Sequence, residues 1–202
     1  MAAAKRTTYL ISGANKGKNT TRRIGRSLVT SYLSRRGNTV IATVRDPTGP
    51  SSRSLAEIPK ASGSTLIVVK IESTSHQDAK KAVQTLDSKH QISTIDVVIA
   101  NAATENQIYG PLSAVDPAQV EAHISVNTIG PLLLFQAVLP LLQRSPEPRF
   151  VLLGSPLGSI GGMENRPLPM GAYGVSKAAA HYLIRKIHFE NEWLVAFAVD
   201  PG

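Results

Sequence analysis

Short runs of apolar and β-branched residues recur along the chain, separated by amphipathic stretches. Six of these runs predict strands: Thr8–Ile11, Thr39–Val44, Leu66–Ile71, Ile95–Ala100, Phe150–Leu153 and Leu194–Val199. The stretches between them predict helices: Ile24–Arg36, a weak one ending near Ile58, His76–Lys89, Pro117–Leu142 and Ala172–Glu192. Because strand and helix alternate without an internal repeat or a linker, the pattern predicts one α/β domain over residues 1–202, a doubly wound parallel sheet of the Rossmann type.

A glycine-rich segment follows the first predicted strand and leads toward the first predicted helix. Strand, glycine turn and helix together form the first half of a dinucleotide-binding unit, in which glycines let the backbone approach a pyrophosphate. Six residues, 18–23, interrupt the turn, so a surface loop that spoils the phosphate cradle stays open as an alternative. The candidate cofactor contacts in this part of the chain are Gly13, Asn15, Lys16, Gly17 and Ile24.

Polar side chains follow the predicted strands, at the edge of the sheet where ligands bind in folds of this type. Arg45 comes at the end of the second strand, where an arginine accommodates the 2′-phosphate of the adenosine ribose. With Lys16, it indicates NADP(H) rather than NAD, although a merely solvated Arg45 is the alternative. Glu72, Asn101 and Ser155 follow the third, fourth and fifth strands.

Tyr173 and Lys177 are four residues apart on the last predicted helix and therefore lie on the same face. A lysine cation beside a phenol favours the phenolate and lowers the pKa of the tyrosine. A tyrosine placed in this way can pass a proton to or from a reacting oxygen. The same spacing also arises by chance on ordinary exposed helices. A catalytic role for the pair is therefore supported only by the other polar residues that follow the predicted strands.

Composition narrows the class of protein. The chain has a formal net charge of +8, but its basic residues are scattered and aromatic residues are 5% of the total, which disfavours nucleic-acid binding. The chain has no cysteine, and its five histidines show no ligand spacing, so no metal site is predicted. Neither a secretory signal nor an apolar run of membrane-span length is recognised, which predicts a cytoplasmic protein without a membrane partner.

Taken in order, these residues resemble the short-chain dehydrogenase/reductase family from Thr8 to Gly202. Within that family they are similar to fungal ketoreductases of the norsolorinic acid type. The resemblance rests on the following motifs: Gly13-Ala14-Asn15-Lys16-Gly17, Asn101-Ala102-Ala103, Asn127, Ser155, Tyr173 with Lys177, and Pro201-Gly202.

The resemblance implies a role for each of these residues. Tyr173 would be the general acid, and Lys177 would lower its pKa and hold the nicotinamide ribose. Ser155 would hydrogen-bond the substrate carbonyl oxygen, and Asn127 would hold a water that relays protons to Lys177. Asn101 would lie along the cofactor and Glu72 near the adenine.

Four departures from the family pattern qualify the resemblance. They are the insertion at 18–23, Glu72 in place of an aspartate, Ala103 in place of a glycine, and an end at Pro201-Gly202 where the family continues. Ala103 would be strained if its backbone needed a positive φ. The early end predicts a C-terminally truncated member whose sixth strand is an exposed edge.

The expected function is that of an NADPH-dependent ketoreductase acting on a small-molecule carbonyl compound, with an aromatic polyketide as one candidate, and assembling as a homo-dimer or tetramer. A non-catalytic dinucleotide-binding or regulatory protein is the main alternative, favoured by the insertion and the early end. A nucleotide-sugar epimerase or dehydratase shares the Tyr-x-x-x-Lys pattern but normally needs a further C-terminal domain.

Overall fold

Six parallel strands form a single sheet in the computed structural model, which describes residues 6–15, 24–105 and 110–202. The strands are β1 Thr8–Ile11, β2 Thr39–Val44, β3 Thr65–Lys70, β4 Val97–Ala100, β5 Arg149–Leu153 and β6 Val195–Val199. Their order across the sheet is β3-β2-β1-β4-β5-β6. The chain reverses its direction of winding between β1 and β4, and ligands bind at that reversal in such sheets. The predicted Rossmann fold is confirmed.

Helices connect the strands and cover the sheet. They are α1 Ile24–Leu33, α2 Pro50–Arg53, α3 Asp78–His90, α4 Pro117–Ile124, α5 Gly130–Leu142 and α6 Gly171–Glu190. The sequence predicted one continuous helix over Pro117–Leu142. The structure instead joins α4 to α5 through a π-helical turn, Ser125–Ile129.

Side chains of the central strands alternate between two hydrophobic cores, one on each face of the sheet. In β1, Leu10 packs in the core that contains α3, α5 and α6, whereas Ile11 packs in the core beneath α1. In β2, Ile41 joins the first core, and its neighbours Val40 and Ala42 join the second. Burial on both faces explains why these strands are apolar at nearly every position.

The helical run Pro117–Leu142 corrects one expectation about apolar segments. Its 26 residues, with a mean hydropathy of 1.6 in the most apolar window, are long and apolar enough to cross a membrane. No run of this length was expected from the sequence. In the fold, however, α5 buries Leu134, Val138 and Leu142 in the hydrophobic core, so this part of the run serves as a core helix.

Strand β6 lies at one edge of the sheet. Its side chains at Val195, Phe197 and Val199 share a face and are exposed, whereas Ala196 points into the core beside α6. Within the described residues, β6 is thus the last strand on this side of the sheet.

Candidate active site

A crevice of about 250 Å³ lies where the C-terminal ends of the strands meet. Eight of the predicted site residues line it: Gly13, Asn15, Ile24, Arg45, Glu72, Asn101, Tyr173 and Lys177. Two others, Asn127 and Ser155, do not line it. Lys16, Gly17 and the insertion at 18–23 lie outside the described residues.

The glycine turn after β1 is packed too closely for larger residues. Gly13 has a φ of +66°, and a Cβ there would come to 2.9 Å from the Cα of Ala102. A Cβ on Gly25, at the start of α1, would come to 2.5 Å from the carbonyl oxygen of Gly13. The backbone of the turn, the first turn of α1 and the segment after β4 are thus held in contact.

Asn101 fixes this turn through its side chain. Its Nδ2 donates to the carbonyl oxygen of Ser12 at 2.7 Å and to that of Gly13 at 3.3 Å. The resemblance gave Asn101 a place along the cofactor, and its side chain does line the crevice. The structure adds a second role, because the amide also ties the segment after β4 to the glycine turn.

The groups around the crevice fit a dinucleotide phosphate. Ile24, the first described residue of α1, lines the crevice, and the N-terminal end of a helix favours a bound anion. Arg45 lines the crevice with an exposed side chain just beyond β2. Asn15 donates from Nδ2 to the Ser52 hydroxyl at 2.6 Å, which fixes the glycine turn against α2.

Tyr173 and Lys177 face the crevice together from α6. The Nζ of Lys177 lies 5.6 Å from the centre of the Tyr173 ring and donates to the carbonyl oxygen of Leu153 at 2.7 Å. Only 3% of Lys177 is exposed. Burial lowers the pKa of Lys177 to about 8, and the carboxylate of Glu105 opposes that shift.

Ser155 lies one residue beyond Gly154, which lines the crevice. Its Oγ accepts a hydrogen bond from the backbone N–H of Leu157 at 3.3 Å, capping the short 3-10 turn Pro156–Gly158. A hydroxyl that accepts one hydrogen bond still has its own hydrogen to donate. The side chain can therefore cap the turn and still donate to a ligand.

Asn127 is buried in the π-helical turn, and its side-chain amide bonds to two separate segments. Its Oδ1 accepts from the backbone N–H of Thr104 at 2.8 Å, and its Nδ2 donates to the Thr104 carbonyl at 3.0 Å and to the Ser176 hydroxyl at 2.9 Å. Asn127 thus ties the wall of the crevice to α6 beside Lys177. Its expected role in a water relay stays a prediction.

Two residues near Lys177 were missed by the sequence analysis. Glu105 lines the crevice and acts on the charge of Lys177, and its place just after the Asn101 motif was the available signal. His181 is one helical turn beyond Lys177, and the same four-residue spacing that selected the Tyr/Lys pair would have found it.

Ala103 is not strained by its departure from the family pattern. Among the residues that the structure describes, Gln91 is the only non-glycine residue with a positive φ. Ala103 therefore keeps an ordinary backbone conformation while it lines the crevice.

Comparison with known proteins agrees with this geometry. The family model for short chain dehydrogenases matches residues 8–196. A norsolorinic acid ketoreductase of Dothistroma septosporum is 46% identical over 98% of this chain and 72% of its own length. A norsolorinic acid ketoreductase of Aspergillus parasiticus is 43% identical over 97% of this chain and 70% of its own. Among solved structures, an NADPH-bound carbonyl reductase from chicken fatty liver superposes with a TM-score of 0.84 at 25% identity, covering 98% of this chain and 80% of that one.

Together with these relatives, the doubly wound sheet and the crevice that contains Tyr173 and Lys177 assign the chain to the oxidoreductases of the Rossmann class. The chain belongs to the short-chain dehydrogenase family, and fungal ketoreductases are among its relatives.

Proposed function

We propose that this protein is an NADPH-dependent ketoreductase, which reduces a ketone or aldehyde carbonyl to an alcohol. The observation that carries the proposal is the single crevice lined by Gly13, Arg45, Tyr173 and Lys177. A binding turn, a basic residue for the 2′-phosphate and a proton-donating pair thereby open onto one space.

Different residues of the chain bind the cofactor and donate the proton. Gly13, Asn15, Ile24 and Arg45 hold NADPH, which supplies the hydride when bound. Tyr173 donates its phenolic proton to the carbonyl oxygen as that oxygen gains negative charge.

The other two groups act on the charge that develops. Ser155 donates a hydrogen bond to the same carbonyl oxygen. A donor fixed in place stabilises the negative charge that develops on this oxygen in the transition state. The ammonium of Lys177 stabilises the phenolate left on Tyr173 after proton transfer, because its Nζ lies within 6 Å of the ring.

An aromatic polyketide is the substrate class we propose. The two fungal relatives that share 43–46% identity are both described as norsolorinic acid ketoreductases. Apolar side chains are also exposed in the segment that joins Ser155 to Tyr173, at Ile160, Met163 and Leu168, and Leu112 packs against Gly171 at the start of α6. Exposed apolar side chains of this kind can contact a planar apolar substrate.

A non-catalytic dinucleotide-binding protein is the alternative. The observation that favours it is the position of Ser155, which does not line the crevice. A protein of this kind would bind NADPH and leave carbonyl compounds unchanged.

The test measures carbonyl-dependent oxidation of NADPH with norsolorinic acid and simpler aromatic ketones, beside NADPH binding measured by fluorescence. We expect turnover by the wild type. Tyr173→Phe should lower kcat by at least about a hundredfold, the usual contribution of a general acid, without changing NADPH affinity. Binding without turnover in the wild type would favour the alternative, and full activity of the Tyr173→Phe variant would refute the role of the tyrosine.

We also propose a cytoplasmic homo-dimer or tetramer. Helix α6 carries exposed apolar side chains at Val175, Tyr182 and Phe189, seven residues apart and therefore on one face. A fluorescent fusion of the full chain tests the location, and sedimentation of the purified protein tests the assembly.

A further inference from the structure

Two side chains of α6 hold the backbone that follows β5. The Lys177 Nζ donates to the carbonyl oxygen of Leu153 at 2.7 Å. One turn later on the same helix, the His181 Nε2 accepts from the backbone N–H of Ser155 at 3.3 Å. Between these contacts, the N–H of Gly154 donates to Val199 in β6 at 2.8 Å. Three successive residues that lead to the Ser155 hydroxyl are therefore held.

The His181 ring occupies space that two glycines leave open. A Cβ on Gly154 would come to 2.6 Å from Nε2, and a Cβ on Gly158 would come to 2.9 Å from Cε1. Gly158 ends the 3-10 turn that Ser155 caps. The ring thus packs against both ends of the short segment that carries the serine.

The hydrogen bond from Ser155 requires an unprotonated Nε2, because the backbone N–H is the donor. Burial, followed by the ammonium of Lys177, lowers the pKa of His181, while the backbone of Gly158 and the carboxylate of Asp200 oppose the shift. The neutral imidazole with its proton on Nδ1 is therefore the favoured form at neutral pH. That form accepts from Ser155.

We propose that His181 is a positioning residue, which fixes the backbone of Ser155 so that the serine hydroxyl is aimed at the substrate carbonyl oxygen. The inference rests on the proposed function, in which Ser155 donates to that oxygen. With the N–H held by His181, the Ser155 side chain keeps its two rotatable bonds, and the contact of Oγ with the N–H of Leu157 restricts the position of Oγ. Loss of the imidazole would release the segment and leave a buried N–H without its acceptor.

A matched pair of variants distinguishes the effect of the hydrogen-bond acceptor of His181 from the effect of its side-chain volume. His181→Gln keeps a side-chain acceptor with similar reach, whereas His181→Leu keeps the volume and removes the acceptor. We expect His181→Leu to lower kcat about ten- to a hundredfold, as misplacement of a reacting group does, with NADPH affinity unchanged. His181→Gln should retain most of kcat. Equal losses in the two variants, or full activity of His181→Leu, would overturn the proposal.

A double-mutant cycle tests whether the effect passes through the serine. In a Ser155→Ala background, His181→Leu should cause almost no further loss of kcat, because the group that it positions is already gone. If His181→Leu costs the same factor with and without the Ser155 hydroxyl, the imidazole acts on something else and the proposal is wrong.

Amide hydrogen exchange gives a readout that does not depend on turnover. The Ser155 amide should be protected in the wild type and in His181→Gln, and should exchange at least about tenfold faster in His181→Leu. A fast Ser155 amide in the wild type would overturn the inference even if the enzyme is active. A protected amide in a wild type that reduces no carbonyl would instead refute the proposed function alone.

Discussion

Lys177 places its ammonium group almost out of contact with water, at the back of the crevice. Burial lowers its pKa from 10.5 to about 8. Below pH 8 the Lys177 amine is protonated in both the folded and the unfolded chain. Burial of the charged amine then lowers the free energy of unfolding. Between about pH 8 and 10.5 only the unfolded chain binds the proton, so this group makes stability rise with pH.

Lys177→Met removes this titration. Across the interval from pH 8 to 10.5, the free energy of unfolding of the wild type should gain up to about 3 kcal/mol relative to the variant. Denaturant unfolding at a series of pH values measures the difference. Lys186→Met, at an exposed lysine paired with Glu190, is the control and should show no such gain. If the free energy of unfolding changes with pH in the same way in the wild type and in Lys177→Met, the pKa of the amine is not lowered by folding.

Arg45 is the residue on which we expect the choice of cofactor to depend. Arg45→Asp should reduce the ratio of kcat/KM for NADPH over NADH by about ten- to a hundredfold, the worth of one charge-assisted contact. Arg36→Asp makes the same change in net charge at an exposed position after α1 that does not line the crevice. Steady-state kinetics with both cofactors measures the ratio. An equal change in the two variants would assign the preference to overall charge.

At the scale of elements, the π-helical turn between α4 and α5 depends on contacts distant in sequence. Asn127 reaches Thr104 and Ser176, which are 23 and 49 positions away. π-helical turns are frequent at functional sites, where they turn a side chain out of the regular helical spacing. Here the turn directs an amide between the crevice wall and α6.

Asn127→Ala should destabilise the protein by about 3 kcal/mol, because three hydrogen bonds to buried or half-buried groups are lost. Thr128→Val is the matched control, since it removes only the single bond from the Thr128 hydroxyl to the Ser176 carbonyl and should cost about 1 kcal/mol. Thermal and denaturant unfolding measure both losses. Similar losses would show that the Asn127 contacts contribute little.

Elements with local signals were predictable, and those that depend on distant partners were not. Strands β1 and β2 have the predicted limits because their β-branched runs end in turns. Strand β4 begins two residues later than predicted, at Val97, although the backbone of Asp96 already bonds to Thr8 and Arg149 on the two neighbouring strands. The π-helical turn and the contact of His181 with Ser155 had no pattern in the sequence, because each joins segments that meet only in the folded chain.

At the scale of the whole molecule, two of the exposed apolar surfaces formed by the described residues lie on regular elements. One is the α6 stripe of Val175, Tyr182 and Phe189, and the other is the β6 face. Tyr182 and Phe189 are 72% and 66% exposed, whereas Phe150 in the core is fully buried. The α6 stripe matches the repeat by which helices pair, so it is the surface that should mediate assembly.

Tyr182→Glu should therefore convert the assembled protein to monomers, because pairing α6 with a second copy would bury an unpaired carboxylate. Phe197→Lys, on the β6 face, should leave the assembly intact and lower the binding of an apolar fluorescent dye. Analytical ultracentrifugation distinguishes the two, and Tyr182→Phe controls for loss of the hydroxyl. Dissociation caused by Phe197→Lys, with Tyr182→Glu still assembled, would place the interface on the β6 edge instead.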